Sequence, residues 1–100
     1  MQVKLIMSWD IQQGQDSDYF EFIVREFAPG IARLGIQPTE AWYTVYGNKP
    51  QIMMGGIADD HDKVREALTT PEWTDLHQRL LKYVSNYHQK VIRATPFFPV

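Results

Sequence analysis

His61, His77 and His88 are the side chains whose ordinary titration falls closest to neutral pH, so proton chemistry starts with them. His77 follows Trp73 by four residues, which places the pair on adjacent turns of one helix face. A histidine beside an aromatic wall can take the proton of a bound enol or phenol. The competing structural reading is a half-buried helix residue bonded to a carbonyl, because the spacing fixes no partner carboxylate. His61 stands among Asp59, Asp60 and Asp62. Consecutive residues at a helix start point in different directions, so they do not converge on a metal ion. Helix capping and dipole complementarity account for those acids, and no metal site is predicted. His88 has no partner near it in sequence and is expected at the surface or at a dimer interface.

The second candidate chemistry is apolar binding. Trp9, Trp42, Tyr43 and Tyr46 can wall a pocket and offer indole or hydroxyl donors at its rim. Plain core and dimer packing would use the same residues. Gly55-Gly56, close by, would leave room for a flat ligand. Together with Trp73 these aromatics form the candidate ligand-binding set, and His77 is the candidate catalytic residue. The chain has no glycine-rich phosphate loop, no nucleophile elbow and no His-Glu-x-x-His helix. It also has no cysteine, which excludes disulfides, thiolate nucleophiles, iron–sulfur clusters and Cys-ligated zinc.

The elements that must position these residues follow from hydrophobic period. Val3, Leu5, Met7 and Trp9 alternate with Lys4, Ile6 and Ser8, giving a first strand with one greasier face. Asp10 to Gln15 is polar, contains Gly14 and reads as a loop, after which Asp16-Ser17-Asp18 supplies N-cap oxygens. Phe20, Ile23, Phe27, Ile31 and Leu34 then recur every three or four residues as a helical stripe, closed by Gly35. Pro29 inside that stripe predicts a kink near 25–29. Residues 40–46 are aromatic and β-branched, with Trp42, Thr44 and Tyr46 on one face and Ala41, Tyr43 and Val45 on the other. After the turn Gly47-Asn48-Lys49-Pro50, residues 51–58 complete a hairpin. Asp59 or Asp60 caps a short helix to Leu68. Thr70-Pro71 caps the next, where Trp73, Leu76, Leu80, Tyr83 and Tyr87 step by three and four. Residues 90–94 form the last strand. The apolar, proline-containing tail at 95–100 is expected to dock along an edge or a neighbour.

The order β-α-β-β-α-β specifies an α+β, ferredoxin-like fold: a four-stranded antiparallel sheet with its helices on one face. One hundred residues make a single domain, 1–100. The net charge of −2 carries no basic cluster, so nucleic acid is not an expected partner. The N-terminal segment alternates and is too short for a membrane span, so a cytoplasmic protein is expected. Two helices leave the opposite sheet face bare. Hiding that face calls for a second copy about a twofold axis, so the chain is expected to be its own partner as a homodimer.

In that element order the chain resembles the dimeric α/β-barrel superfamily of ferredoxin-like proteins, and is most similar to its small uncharacterised NIPSNAP-like members. The phrases that carry the resemblance are Phe27-Ala28-Pro29-Gly30 through Leu34-Gly35, Trp42-Tyr43 through Tyr46-Gly47, and Glu72-Trp73 through Leu80, with Tyr83-Val84, Asn86-Tyr87 and Lys90-Val91. They are packing phrases and span nearly the whole length. The resemblance implies a dimer with a cleft in each subunit between sheet and helices, where related proteins hold aromatic or polycyclic compounds or haem. Which cofactor, if any, this chain uses is left unknown. Related cofactor-free oxygenases place an Asn, a Trp and a His around the substrate. Trp73 and His77 depart from that spacing, and the first strand carries Lys4, Ile6 and Ser8 but no Asn. The expected function is a homodimeric module binding a small apolar or aromatic molecule; the alternative is a cofactor-free oxygenase or isomerase that acts through His77.

Overall fold

A computed structural model describes residues 1–44 and 51–94. Tyr46, the turn at 47–50 and the tail at 95–100 lie outside the described residues. Strand β1 (Val3–Ile11) is followed by helix α1 (Asp16–Phe22), a π-helical turn (Ile23–Phe27) and helix α2 (Ala28–Arg33). Strands β2 (Gln37–Tyr43) and β3 (Ile52–Ala58), helices α3 (His61–Leu68) and α4 (Pro71–Leu80), and strand β4 (Val84–Arg93) complete the order. The strands form one antiparallel sheet in the order β2-β3-β1-β4, so the fold is α+β and ferredoxin-like, as the patterning predicts. No described helix is long and apolar enough to cross a membrane.

The period of two in β1 sorts its faces. Val3, Leu5, Met7 and Trp9 are buried under the helices, while Lys4, Ile6 and Ser8 lie on the other face. The core closes with Phe22, Phe27 and Ile31 from the first helical run and with Val64, Trp73, Leu76 and Leu80 from the second. Thr70 caps α4 by accepting from the Trp73 amide at 3.1 Å, and Asp60 caps α3 by accepting from the Lys63 amide at 2.9 Å. Asp16, by contrast, is the first residue of α1, whose capping position is Gln15 with no side-chain bond. The acids of that first turn act on the helix dipole instead.

At the predicted kink the helix widens. Proline 29 cannot donate a backbone hydrogen, and its ring crowds the carbonyl one turn back. The π turn accommodates this, with the Ala28 amide reaching the Ile23 carbonyl five residues back. One residue on, a Cβ at Gly30 would sit 2.5 Å from Leu76 Cδ1, so the bare backbone there lets α2 and α4 approach closely.

Helix α4 is shorter than its spacing suggests and β4 longer. Tyr83 lies in the turn after Leu80, and Val84 and Tyr87 are strand residues. A β-bulge explains the confusion. Between the pairs Asp10–Ser85 and Ser8–His88, the single residue Trp9 faces both Asn86 and Tyr87. Asn86 takes φ of 54°, the left-handed conformation that such bulges usually give to glycine. The extra residue lets Val84 and Tyr87, three apart, both face the helices, which a regular strand forbids.

Candidate functional site

The helix side of the sheet carries a column of rings. Trp73 and His77, one turn apart on α4, lie nearly parallel at 10° with centroids 5.2 Å apart. The His77 ring meets Tyr87 of β4 at 4.5 Å and 51°. Tyr87 in turn stacks on Trp9 of β1 at 5.9 Å and 8°. Trp9 ends the column by donating its indole N–H to the Tyr19 hydroxyl at 2.8 Å. Burial pushes the Tyr19 phenol up to about 12, against the opposing effect of that bond, and burial also raises Tyr87. Both hydroxyls therefore stay protonated at neutral pH. The Tyr87 hydroxyl donates to Gln89 Oε1 at 2.8 Å.

Within this column one polar atom is unmatched. His77 Nε2 is buried and has no hydrogen-bond partner among the described residues. The half-buried reading of His77 therefore holds, but its carbonyl partner does not exist at Nε2. Burial lowers the His77 pKa below 6.5, so the ring is neutral at pH 7. A neutral imidazole nitrogen among aromatic rings is a hydrogen-bonding point, and leaving such a buried atom unpaired costs about 1–3 kcal/mol.

The structure brings Trp9, Trp73 and His77 together and separates the other candidates. Trp9 pairs in register with Ile52, and Ile52 with Tyr43, so Tyr43 shares the helix face but stands two strands away at the edge. It is 53% exposed, and its hydroxyl accepts from Gln51 Nε2 at 3.3 Å. Trp42 projects from the opposite face and is 55% exposed. One pocket walled by Trp9, Trp42 and Tyr43 is thus ruled out by strand parity, and Tyr46 lies outside the described residues. His88 is exposed on the open face opposite Ser8. His61 opens α3, with Nδ1 3.5 Å from an Arg65 guanidinium nitrogen.

The paired glycines do not leave a vacancy. A Cβ on Gly55 would meet Glu40 Oε1 at 2.7 Å, and one on Gly56 would meet Ile36 Cγ2 at 2.6 Å. The space over Gly55 is filled by an ion pair, Lys4 Nζ to Glu40 Oε1 at 2.6 Å, which crosses β3 on the open face. Lys4 holds the Glu40 carboxyl below its usual range, chiefly through that hydrogen bond. Around the pair lie Ile6, Met53, Ile57, Ile92 and Trp42, a mostly apolar set.

Two residues with a part in the site escaped sequence reasoning: Tyr87, assigned to the wrong element, and Asp10, placed in a loop. Asp10 Oδ1 accepts the Gln51 amide at 2.9 Å and Oδ2 accepts Asn86 Nδ2 at 3.0 Å. These two bonds lower the Asp10 pKa. The Asn-Tyr pair at 86–87 was the available signal, since asparagine is the commonest residue after glycine to accept positive φ.

No family model matches the chain, and no curated protein matches it. Solved structures do. A NIPSNAP family protein from Agrobacterium tumefaciens superposes with a TM-score of 0.75 at 16% identity, covering 100% of this chain and 99% of that one. A mutant of SnoaB, a cofactor-independent oxygenase from Streptomyces nogalater, gives 0.73 at 18% identity over 99% and 98%. A dimeric protein of unknown function and ferredoxin-like fold from Bacteroides fragilis gives 0.63 at 16% identity over 93% and 96%. At such identities the likeness concerns the fold: this chain has the ferredoxin-like α/β architecture that the NIPSNAP-type proteins share.

Proposed function

We propose that the chain, 1–100, acts as one domain that pairs with a second copy through its open sheet face and binds a small, largely apolar or aromatic molecule between sheet and helices, at the Trp73–His77–Tyr87–Trp9 column. The observation that carries this reading is His77 Nε2, a buried hydrogen-bonding atom without a partner among the described residues, in a ring that packs against Trp73 and Tyr87. An aromatic guest would replace ring–ring contacts of the same kind and could satisfy that atom. Because the column is packed, a guest enters by displacing one of its rings. The apolar side chains Ile6, Trp42, Met53, Ile57 and Ile92 on the open face and the dimeric state of the Bacteroides fragilis protein support pairing.

Thermal denaturation with flat aromatic probes and haem tests the binding half. A ligand at 100 times its dissociation constant adds about 2.7 kcal/mol, a shift of about 10–20 °C for a domain of this size. His77→Ala should abolish the shift for probes that carry a hydrogen-bonding group. No shift with any probe would end the binding reading.

A second reading is supported by the same atom. A neutral imidazole, less basic than usual, next to an aromatic guest can serve as a general base, and the SnoaB likeness in fold favours a cofactor-free oxygenase or isomerase acting on an aromatic or enol-type compound. Turnover of a bound probe that survives His77→Ala would remove His77 from that chemistry.

A further inference from the structure

At the end of the sheet that carries the ring column, hydrogen bonds run across all four strands. From the β2 edge, the Tyr43 hydroxyl accepts from Gln51 Nε2. Gln51, just before β3, accepts the Ile11 amide of β1 on its Oε1 at 2.8 Å and donates its own amide to Asp10. Asp10 then reaches Asn86 of β4. The carboxylate of Asp10 thus ties β1 to the segments on both sides of it, one bond on each oxygen.

What it holds is directly coupled to the column. Asp10 follows Trp9, and Asn86 precedes Tyr87, the two residues whose rings stack. Asn86 is also the only described non-glycine residue at positive φ. A β-branched or alanine side chain would oppose that conformation; asparagine tolerates it, and a cross-strand partner holds its side-chain amide in place. The partner is Asp10. If Asn86 relaxed to an extended conformation, the bulge would close and the parity of β4 would invert, turning Tyr87 away from His77 and Trp9.

We infer that Asp10 is a positioning residue for the cleft: its carboxylate keeps the Asn86 bulge in place, and the bulge keeps Tyr87 against His77 and Trp9. The inference rests on the reading of that column as the ligand site, but it concerns the geometry of the rings and can be measured without a ligand.

The test compares Asp10→Ala, Asp10→Asn and Asn86→Asp with the parent chain. Near-UV circular dichroism reports the asymmetric setting of Trp9 and Tyr87, side-chain ¹⁵N resonances report His77, and 2-naphthol serves as the binding probe. Asp10→Ala, with an unchanged far-UV spectrum, should lose much of the aromatic signal, shift the His77 resonances and weaken 2-naphthol about tenfold. Asp10→Asn should restore all three. Its carbonyl can accept the Gln51 amide and its amide can pair with Asn86 after that side chain turns over. Should Asp10→Ala fail to fold, Asn86→Asp accepts the same positive φ but replaces the bond with two facing carboxylates, and should show the same ring displacement. Unchanged aromatic and His77 signals in Asp10→Ala, or in Asn86→Asp if the former is unfolded, would overturn the inference. If 2-naphthol binds none of the proteins while the ring signals move as stated, the positioning role stands and the ligand site is what fails.

Discussion

Trp9 and Tyr87 lie within 8° of parallel although they come from neighbouring strands in a register that a regular ladder could not produce. Their stack is the joint between two halves of the ring column: Trp9 leads to Tyr19, and Tyr87 leads to His77 and Trp73. Each end is tied differently. The Trp9 end is fully buried and hydrogen-bonded, while the His77 end keeps an unpaired nitrogen.

Trp9→Phe removes both ring volume from the core and the donor to Tyr19. The Tyr19 hydroxyl is then stranded in a site where it is 2% exposed. A cavity and an unsatisfied polar group together should cost about 2–4 kcal/mol. The midpoint of urea unfolding should fall with the slope unchanged.

Two glycines should respond in opposite ways to alanine. At Gly30 the new methyl would press on Leu76, a buried core side chain, and α2 must lift from α4. That overpacking should cost about 1–3 kcal/mol. At Gly55 the obstacle is the end of the Glu40 side chain, which can swing aside. Gly55→Ala should leave thermal stability of the subunit within about 1 kcal/mol, since the Lys4–Glu40 pair is only partly buried and ion pairs open to solvent contribute little. Differential scanning calorimetry of the two variants checks the contrast.

Strand parity was legible in β1 and β2 separately, and this is why the greasier face of β1 and the two alternating sets of β2 were predicted. Which faces coincide was not legible. That depends on the pairings Trp9–Ile52 and Ile52–Tyr43, and these place Tyr43, not Trp42, on the side of Trp9. The boundary between α4 and β4 failed for a related reason. Leu80, Tyr83 and Tyr87 step by three and four as a helix does, yet a turn followed by a bulged strand produces the same steps. The helix cap at Thr70 was read from sequence, and that of α3 was narrowed to Asp59 or Asp60, of which Asp60 serves, because a cap needs only local chemistry. The unpaired Nε2 of His77 could not have been read at all, because it depends on three elements meeting.

Stability should fall with acid in two separate steps. Burial lowers the folded pKa of His77 below 6.5, so between that lowered value and 6.5 the unfolded chain binds more protons than the folded one. The stabilisation is complete above pH 6.5 and declines as pH falls toward the folded value, then levels off. His77→Gln should flatten this step. Asp10 and Glu40 have folded values below the ordinary 3.8 and 4.5, so their contribution is present above those values and is lost as pH falls through the lower, folded ones. Urea titrations at closely spaced pH values should resolve the His77 step from the carboxylate step.

The open face makes the sharpest prediction about assembly. Ile6 stands near its middle, opposite Gly55 on one side and Lys90 on the other, and contributes nothing to the core beneath the helices. In Ile6→Glu the new carboxylate has Lys90 across the strand and Lys4 two residues away on the same face, so a single subunit accommodates it. Pressed against a second sheet, the same carboxylate would have to leave water. Light scattering of the parent chain should give about 23 kDa, twice the 11.7 kDa of one chain, and Ile6→Glu should give one chain's mass with an unchanged far-UV spectrum. A parent chain of 11.7 kDa in dilute solution would remove the sheet-to-sheet dimer. A variant that stays paired would move the interface elsewhere, because a charge at Ile6 cannot be indifferent to a sheet laid over it.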